Sequence, residues 1–120
     1  MTKEFIPYEQ NLEIRNLGFD EPCFGWFTNS YLRIGSIVEN KHVQGEDEIL
    51  APLYQQAFRW FREKHNLFSF ITTVEDTDYN GFKFTFWIAG RNSDRLPICD
   101  TYEEAELACL KKLIEVIKNK

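Results

Sequence analysis

The residues able to do chemistry in this chain are three cysteines, two histidines, a short run of oxygen donors and one misplaced carboxylate. Cys23, Cys99 and Cys109 are far apart and odd in number, with no CxxC, so they read as reduced thiols and not as a disulfide set or a zinc site. His42 and His65 have no Cys, Asp or Glu at ligand spacing on a shared element. A nucleophilic pair of Cys23 with His42 is compatible with spacing, since such partners meet only in the fold. Nothing else in the sequence points to an activated thiol. Asp76-x-Asp78-x-Asn80-Gly81 matches the start of a calcium loop, but the twelfth position, which needs a bidentate Glu, is Trp87. A hairpin turn explains the run better. Glu106 falls in the apolar sector of a helix and is expected at its edge, paired or reaching water, because an unpaired buried carboxylate is costly. GxGxxG, the P-loop, GxSxG and HExxH are absent. We therefore expect no catalytic residues, no metal and no cofactor.

Aromatic side chains supply a different chemistry. They make up 16% of the chain, eleven of them Phe. Most belong in a core, because Phe has no polar handle. Phe24, Trp26, Tyr31 and Trp87 instead alternate out of phase with the apolar faces of their strands, beside Arg33 and Lys83. Trp26 and Arg33 stand opposite each other as a cation–π pair. Aromatics and cations on an open sheet resemble a stacking platform. Cover by a helix or a second copy, or contact with a protein partner, competes with that reading. The formal charge of −5 counts against nucleic acid and anionic membrane.

These side chains need elements to hold them. At 120 residues and 43% hydrophobic composition, one α+β domain is expected. Pro7 opens a helix to about Leu17, closed by Gly18, after a loose lead-in over residues 1–6. Cys23 to Thr28 and Tyr31 to Ile37 form a hairpin about Asn29-Ser30, with Phe27 opposite Leu32 and Gly25 opposite Ile34. Its core face is Cys23, Gly25, Phe27, Leu32, Ile34 and Ser36. Val38 to Glu48 is a polar loop ending in the acidic run Glu46-Asp47-Glu48.

The central helix runs from Leu50 to Asn66, with Pro52 in its first turn and Asn66 as a left-handed cap. Leu50, Leu53, Tyr54, Ala57, Trp60, Phe61 and Leu67 share one side, and Arg59 and Arg62 the other. An apolar arc this wide is expected to touch both a sheet and the last helix. Phe68 to Glu75 and Phe82 to Ala89 form a second hairpin. Placing Phe68, Phe70, Thr72 and Val74 on one face with Phe82, Phe84, Phe86 and Ile88 requires a three-residue loop, Tyr79-Asn80-Gly81, which pairs Phe86 with Val74. The last helix starts at Asp100-Thr101 with a Thr101-x-x-Glu104 capping box and ends near Lys118. Tyr102, Ala105, Cys109, Leu113, Val116 and Ile117 form its inner stripe, with Leu110 at the margin. The order is αββαββα, a mostly antiparallel four-stranded sheet of two hairpins with helices packed on it.

The stretches IPYEQ, LGFDEPCFG, LAPLYQQAFRWFREKH and TYEEAELACLKKLIEVIKNK resemble a family of short proteins from phages and prophages of Bacteroides-like gut bacteria. The resemblance runs from Ile6 to Lys120. It implies a constant helical frame holding variable hairpins and a phage context. The family has no assigned activity, so no site residue carries over. With no apolar run of signal-peptide or membrane-span length, a cytoplasmic protein is expected. The leading expectation is a non-enzymatic phage accessory protein acting through protein contacts or self-association. The alternative is a module that binds single-stranded nucleic acid or a small ligand on the aromatic sheet face.

Overall fold

The structure is a computed structural model describing residues 2–38, 48–76, 81–90 and 97–119. It is α+β, with three α-helices and two small antiparallel sheets among the described residues. The chain divides into two compact units, residues 1–57 and 58–120. Among the described residues no helix is long and apolar enough to cross a membrane.

The first unit opens with a 3₁₀ turn, Thr2–Glu4, and helix α1, Tyr8–Asn16. Pro7 supplies the extended N-cap, and Gly18 at φ 105° ends the helix. Phe19 N–H then bonds back to Ile14 O at 3.1 Å. Strands β1 (Cys23–Thr28), β2 (Tyr31–Val38) and β3 (Glu48–Ala51) form a sheet in the order β2-β1-β3. Asn29 and Ser30 both have positive φ, 51° and 69°, as a two-residue turn between right-twisted strands requires. The expected register follows: Phe27 faces Leu32, Trp26 faces Arg33 and Gly25 faces Ile34. It then slips, so that Cys23 faces Val38. The slip is by two residues and leaves the alternation of faces intact.

The lead-in is not loose. Phe5 and Ile6 are buried, Phe5 bridges to Leu53, and Ile6 N–H donates to Pro52 O at 3.1 Å. Phe5, Phe27, Ile49 and Ala51 form a core, flanked by Tyr8, Leu12, Leu32 and Leu53. The Tyr8 ring meets Phe27 edge-on at 5.3 Å. Asn11, buried on α1, donates through Nδ2 to Leu50 O and ties the helix to β3.

Strand β3 corrects two expectations. Leu50 and Ala51 are not helical, because Glu48–Ala51 pairs with β1, Trp26 facing Leu50 and Phe27 facing Ile49. Pro52 explains why. A proline disfavours helical geometry in the residue before it, so Ala51 is held extended and the helix starts later. Helix α2 spans Tyr54–His65. The second edge of β1 is thus filled by β3. The expected four-stranded sheet is replaced by one sheet of three strands and one of two.

The second unit holds the larger part of α2. Trp60 and Phe61 are buried and Arg59 and Arg62 exposed, as the helical spacing predicts. Asn66 caps the helix in the left-handed region at φ 55°, and Leu67 N–H reaches Phe61 O at 3.1 Å. Strands β4 (Ser69–Asp76) and β5 (Gly81–Ile88) pair without interruption, and the pair is extended at one point by a bridge from Phe84 to Cys99. The expected register is wrong: Phe86 faces Ile71, and Val74 faces Lys83. Asp76 faces Gly81, so four residues separate the strands where a three-residue loop was expected.

Helix α3 spans Tyr102–Lys118 and packs on both strands. Thr101 Oγ1 accepts from Glu104 N–H at 3.1 Å. The reciprocal bond comes from Asp100 N–H to Glu104 Oε2, also 3.1 Å, one residue earlier than a standard capping box places it. The buried seam of α3 is Ala105, Glu106, Cys109, Leu110, Leu113 and Ile114. It is rotated from the expected stripe: Leu110 is central, Tyr102 is exposed, and Val116 and Ile117 are half-buried. Glu106 lies inside this seam, 8% exposed, and not at its edge.

Candidate binding surfaces

The six aromatic and basic residues singled out in the sequence divide between the two sheets. Phe24, Trp26, Tyr31 and Arg33 belong to β1 and β2, and Lys83 and Trp87 to β5. No single sheet carries them all.

On the three-stranded sheet, alternation puts Phe27, Ile49 and Ala51 against Phe5 and α1. The opposite face presents Phe24, Trp26, Tyr31 and Arg33. Tyr31 is 73% exposed and Phe24 52%, Arg33 is exposed and Trp26 half-buried. Trp26 and Arg33 are cross-strand partners, the pairing a cation–π contact needs. Each large apolar ring left in water forgoes burial worth roughly 1.5–3 kcal/mol, so an exposed pair on a well-formed hairpin is a candidate contact surface.

On the two-stranded sheet, α3 covers the face of Phe84, Phe86 and Ile88. The Tyr102 ring meets Phe84 at 6.0 Å, and the Cys109 thiol hydrogen-bonds to the Ser69 side chain. The other face carries Lys83 and Trp87, as expected. It also carries Phe70, which sequence reasoning had turned toward the core. Phe70 and Trp87 are direct cross-strand partners, their rings stacked 6.3 Å apart at 16°. Phe70 is 57% exposed and Trp87 39%. The signal that could have found Phe70 was the parity of the register, because an odd offset brings it beside Trp87. Lys83 is not a free cation: it is ion-paired with Asp100. Between Lys83 and Trp87, Thr85 is fully buried, and its hydroxyl has no partner among the described residues.

The cysteines are poor nucleophiles. Cys23 is buried, donates to Glu21 O at 3.2 Å, and sits by Gln56, whose Nε2 donates to Pro22 O at 2.7 Å. Burial pushes its thiol up to about 12, helped by the nearby Glu21 charge. Burial, with the Glu106 charge, pushes Cys109 up to about 11. Cys99 is raised as well, by partial burial and then by Glu104 and Asp100. Thiolates are the reactive form, so this is the opposite of activation. His42, the proposed partner of Cys23, and Asp78 and Asn80 of the calcium-like run lie outside the described residues, as do Glu46 and Asp47. Among the described residues no three His, Cys, Asp or Glu side chains converge as metal ligands.

The raised thiols give a signed pH dependence. A thiol that holds its proton more tightly when folded destabilises the fold once the unfolded chain can ionise. Stability is therefore full below about pH 9 and falls as pH rises toward 11 and 12, by about 1.4 kcal/mol per unit for each buried thiol. Urea unfolding from pH 8 to 10.5 should show this decline, and Cys109→Ala should flatten part of it. Near neutral pH, a thiol reagent should label Cys99 well before Cys23 or Cys109.

The chain matches no family model, no curated protein and no solved structure.

Proposed function

We propose that the protein is a non-enzymatic accessory factor of phage or prophage origin that acts by contact with another protein. The outer face of the β1–β2 hairpin makes that contact. The observation that carries the reading is Tyr31 and Phe24 standing exposed beside Arg33 on a hairpin held in register by its own turn. Aromatic residues and arginine dominate binding energy at protein interfaces, and a rigid strand presents them at little entropic cost. The protonated, buried thiols support a non-catalytic role. The phage context rests on the sequence resemblance.

A photo-crosslinking residue at position 31 or 24, expressed in the native host, should capture one and the same protein. The same residue at exposed Gln55 should not, and Arg33→Glu should abolish capture. Absence of any position-specific adduct would overturn the reading.

A second reading, a small-ligand or single-stranded nucleic-acid site, is favoured by the exposed Phe70–Trp87 stack. The pairing of Lys83 with Asp100 and the charge of −5 weigh against a phosphate backbone. Oligonucleotides at low salt should leave the tryptophan emission unchanged. Salt-sensitive quenching that Trp87→Phe removes would instead establish the second reading.

A further inference from the structure

A partner that touches both ends of the outer β1–β2 face must cover its middle. The hairpin register sets Thr28 opposite Tyr31 in one row and Trp26 opposite Arg33 in the next. Phe24 lies two residues beyond Trp26 on β1, on the same face. Tyr31 and Phe24 thus stand in the outer rows, 73% and 52% exposed, and exposed Arg33 stands in the row between them. Any surface laid on both rings takes the Arg33 guanidinium out of water.

The chain offers that guanidinium no counter-charge. Among the described residues no hydrogen bond or ion pair reaches it, whereas Lys83 has Asp100 and Lys112 has Glu115. The three strands of this sheet carry one cation, Arg33, and one acid, Glu48. Glu48 is half-buried and faces Thr28 from β3, so it lies one row from Arg33 and on the far side of β1. Trp26 shares the row with Arg33, but a ring face attracts a cation without replacing its lost hydration. A buried charge left unpaired is strongly destabilising. The missing anion therefore has to come from the partner.

We propose that the partner of this face presents an Asp or Glu side chain to Arg33, paired fork to fork between Tyr31 and Phe24. This rests on the reading of the face as a protein contact and names the chemistry of the partner. A carboxylate fits in shape and in charge. A guanidinium meets it through two parallel N–H bonds, and the flanking rings keep water from the pair. Its single negative charge also matches the single cation. A phosphate ester brings about two negative charges, and beside Glu48, on a chain of net charge −5, the excess would stay unmatched.

The protein crosslinked from position 31 is the probe. Once it is purified, Arg33→Gln should weaken its binding at least about tenfold. Arg33→Lys should recover only part of the loss, because an ammonium lacks the fork. Arg33 is exposed, so both variants should unfold in urea like wild type. Charge reversal on the other side completes the test. One acid of the partner near the crosslink, changed to Arg, should lose wild-type binding and restore binding to Arg33→Glu. Equal binding by wild type and Arg33→Gln would overturn the proposal and leave the contact reading intact. So would the lack of any acid whose reversal restores Arg33→Glu. Capture abolished by phosphatase treatment would replace the carboxylate with a phosphate and overturn it as well. If position 31 yields no adduct, the contact reading fails and this proposal with it.

Discussion

Replacing Phe61 by alanine is expected to cost about 3–5 kcal/mol, among the largest losses from any single change in this chain. Phe61 is 0% exposed and is the largest fully buried side chain described. Its ring meets Trp60 edge-on at 5.0 Å and His65 at 5.9 Å, and its carbonyl accepts the Leu67 N–H that seals the end of α2. The backbone bond survives truncation but the ring contacts do not. Neighbours fixed by a helix cap and a left-handed Asn66 relax only partly into the space left behind, so a cavity remains. Trp60→Ala should fall in the same range. Arg62→Ala, exposed on the same helix, should stay within about 0.5 kcal/mol. Urea unfolding of the three variants checks the contrast. If Phe61→Ala and Trp60→Ala unfold like wild type, the inward face of α2 has been misassigned. Against a total stability of about 5–15 kcal/mol, a loss of this size should be plain in the midpoint.

The second large effect is expected at the N-terminus. Phe5→Ala should cost about 3–5 kcal/mol, although five residues from a chain end a side chain is ordinarily dispensable. Phe5 is dispensable in neither contact nor backbone: it packs with Phe27, Ile49 and Ala51 and forms a bridge with Leu53. Gly25 is its counterpart. A Cβ at position 25 would lie 2.8 Å from Phe5 Cε1 and 3.1 Å from Arg33 O, closer than packed atoms tolerate. Gly25→Ala should therefore cost about 1–3 kcal/mol by overpacking. The pair makes a sharper test than either change alone. In a Phe5→Ala background the ring is gone, so Gly25→Ala should cost appreciably less, leaving only the strain against Arg33 O. A double-mutant cycle that came out additive would mean that the two residues do not meet.

Much of the architecture was legible from local chemistry. Asn29-Ser30 set the first hairpin, because a two-residue turn dictates which residues face each other. Pro7 and Gly18 bounded α1, Asn66 closed α2, and Thr101 with Glu104 started α3, since each satisfies backbone groups within a few residues of itself. The inward Trp60 and Phe61, the outward Arg33 and the exposed Phe24 and Tyr31 followed from periodicity.

What could not be read locally was decided by pairing between distant segments. Leu50-Ala51 fits the start of a helix wheel, yet it is a strand because β1 offered an open edge and Pro52 kept Ala51 extended. Residues 2–6 look like a tail, yet Phe5 is core because Gly25 leaves room for its ring. Alternation along β4 chose the face of Phe70 and Val74 for the core, and the structure turns Phe70 out. Packing of α3 on the face carrying Phe84, Phe86 and Ile88 sets the choice, turning Ile71 inward and Phe70 out beside Trp87. By itself the sequence determined the caps, the turn of the first hairpin and the α+β class, whose energies are local. The tertiary structure alone decided which strands share a sheet and which aromatics face water, because register depends on what lies across the ladder and not along it.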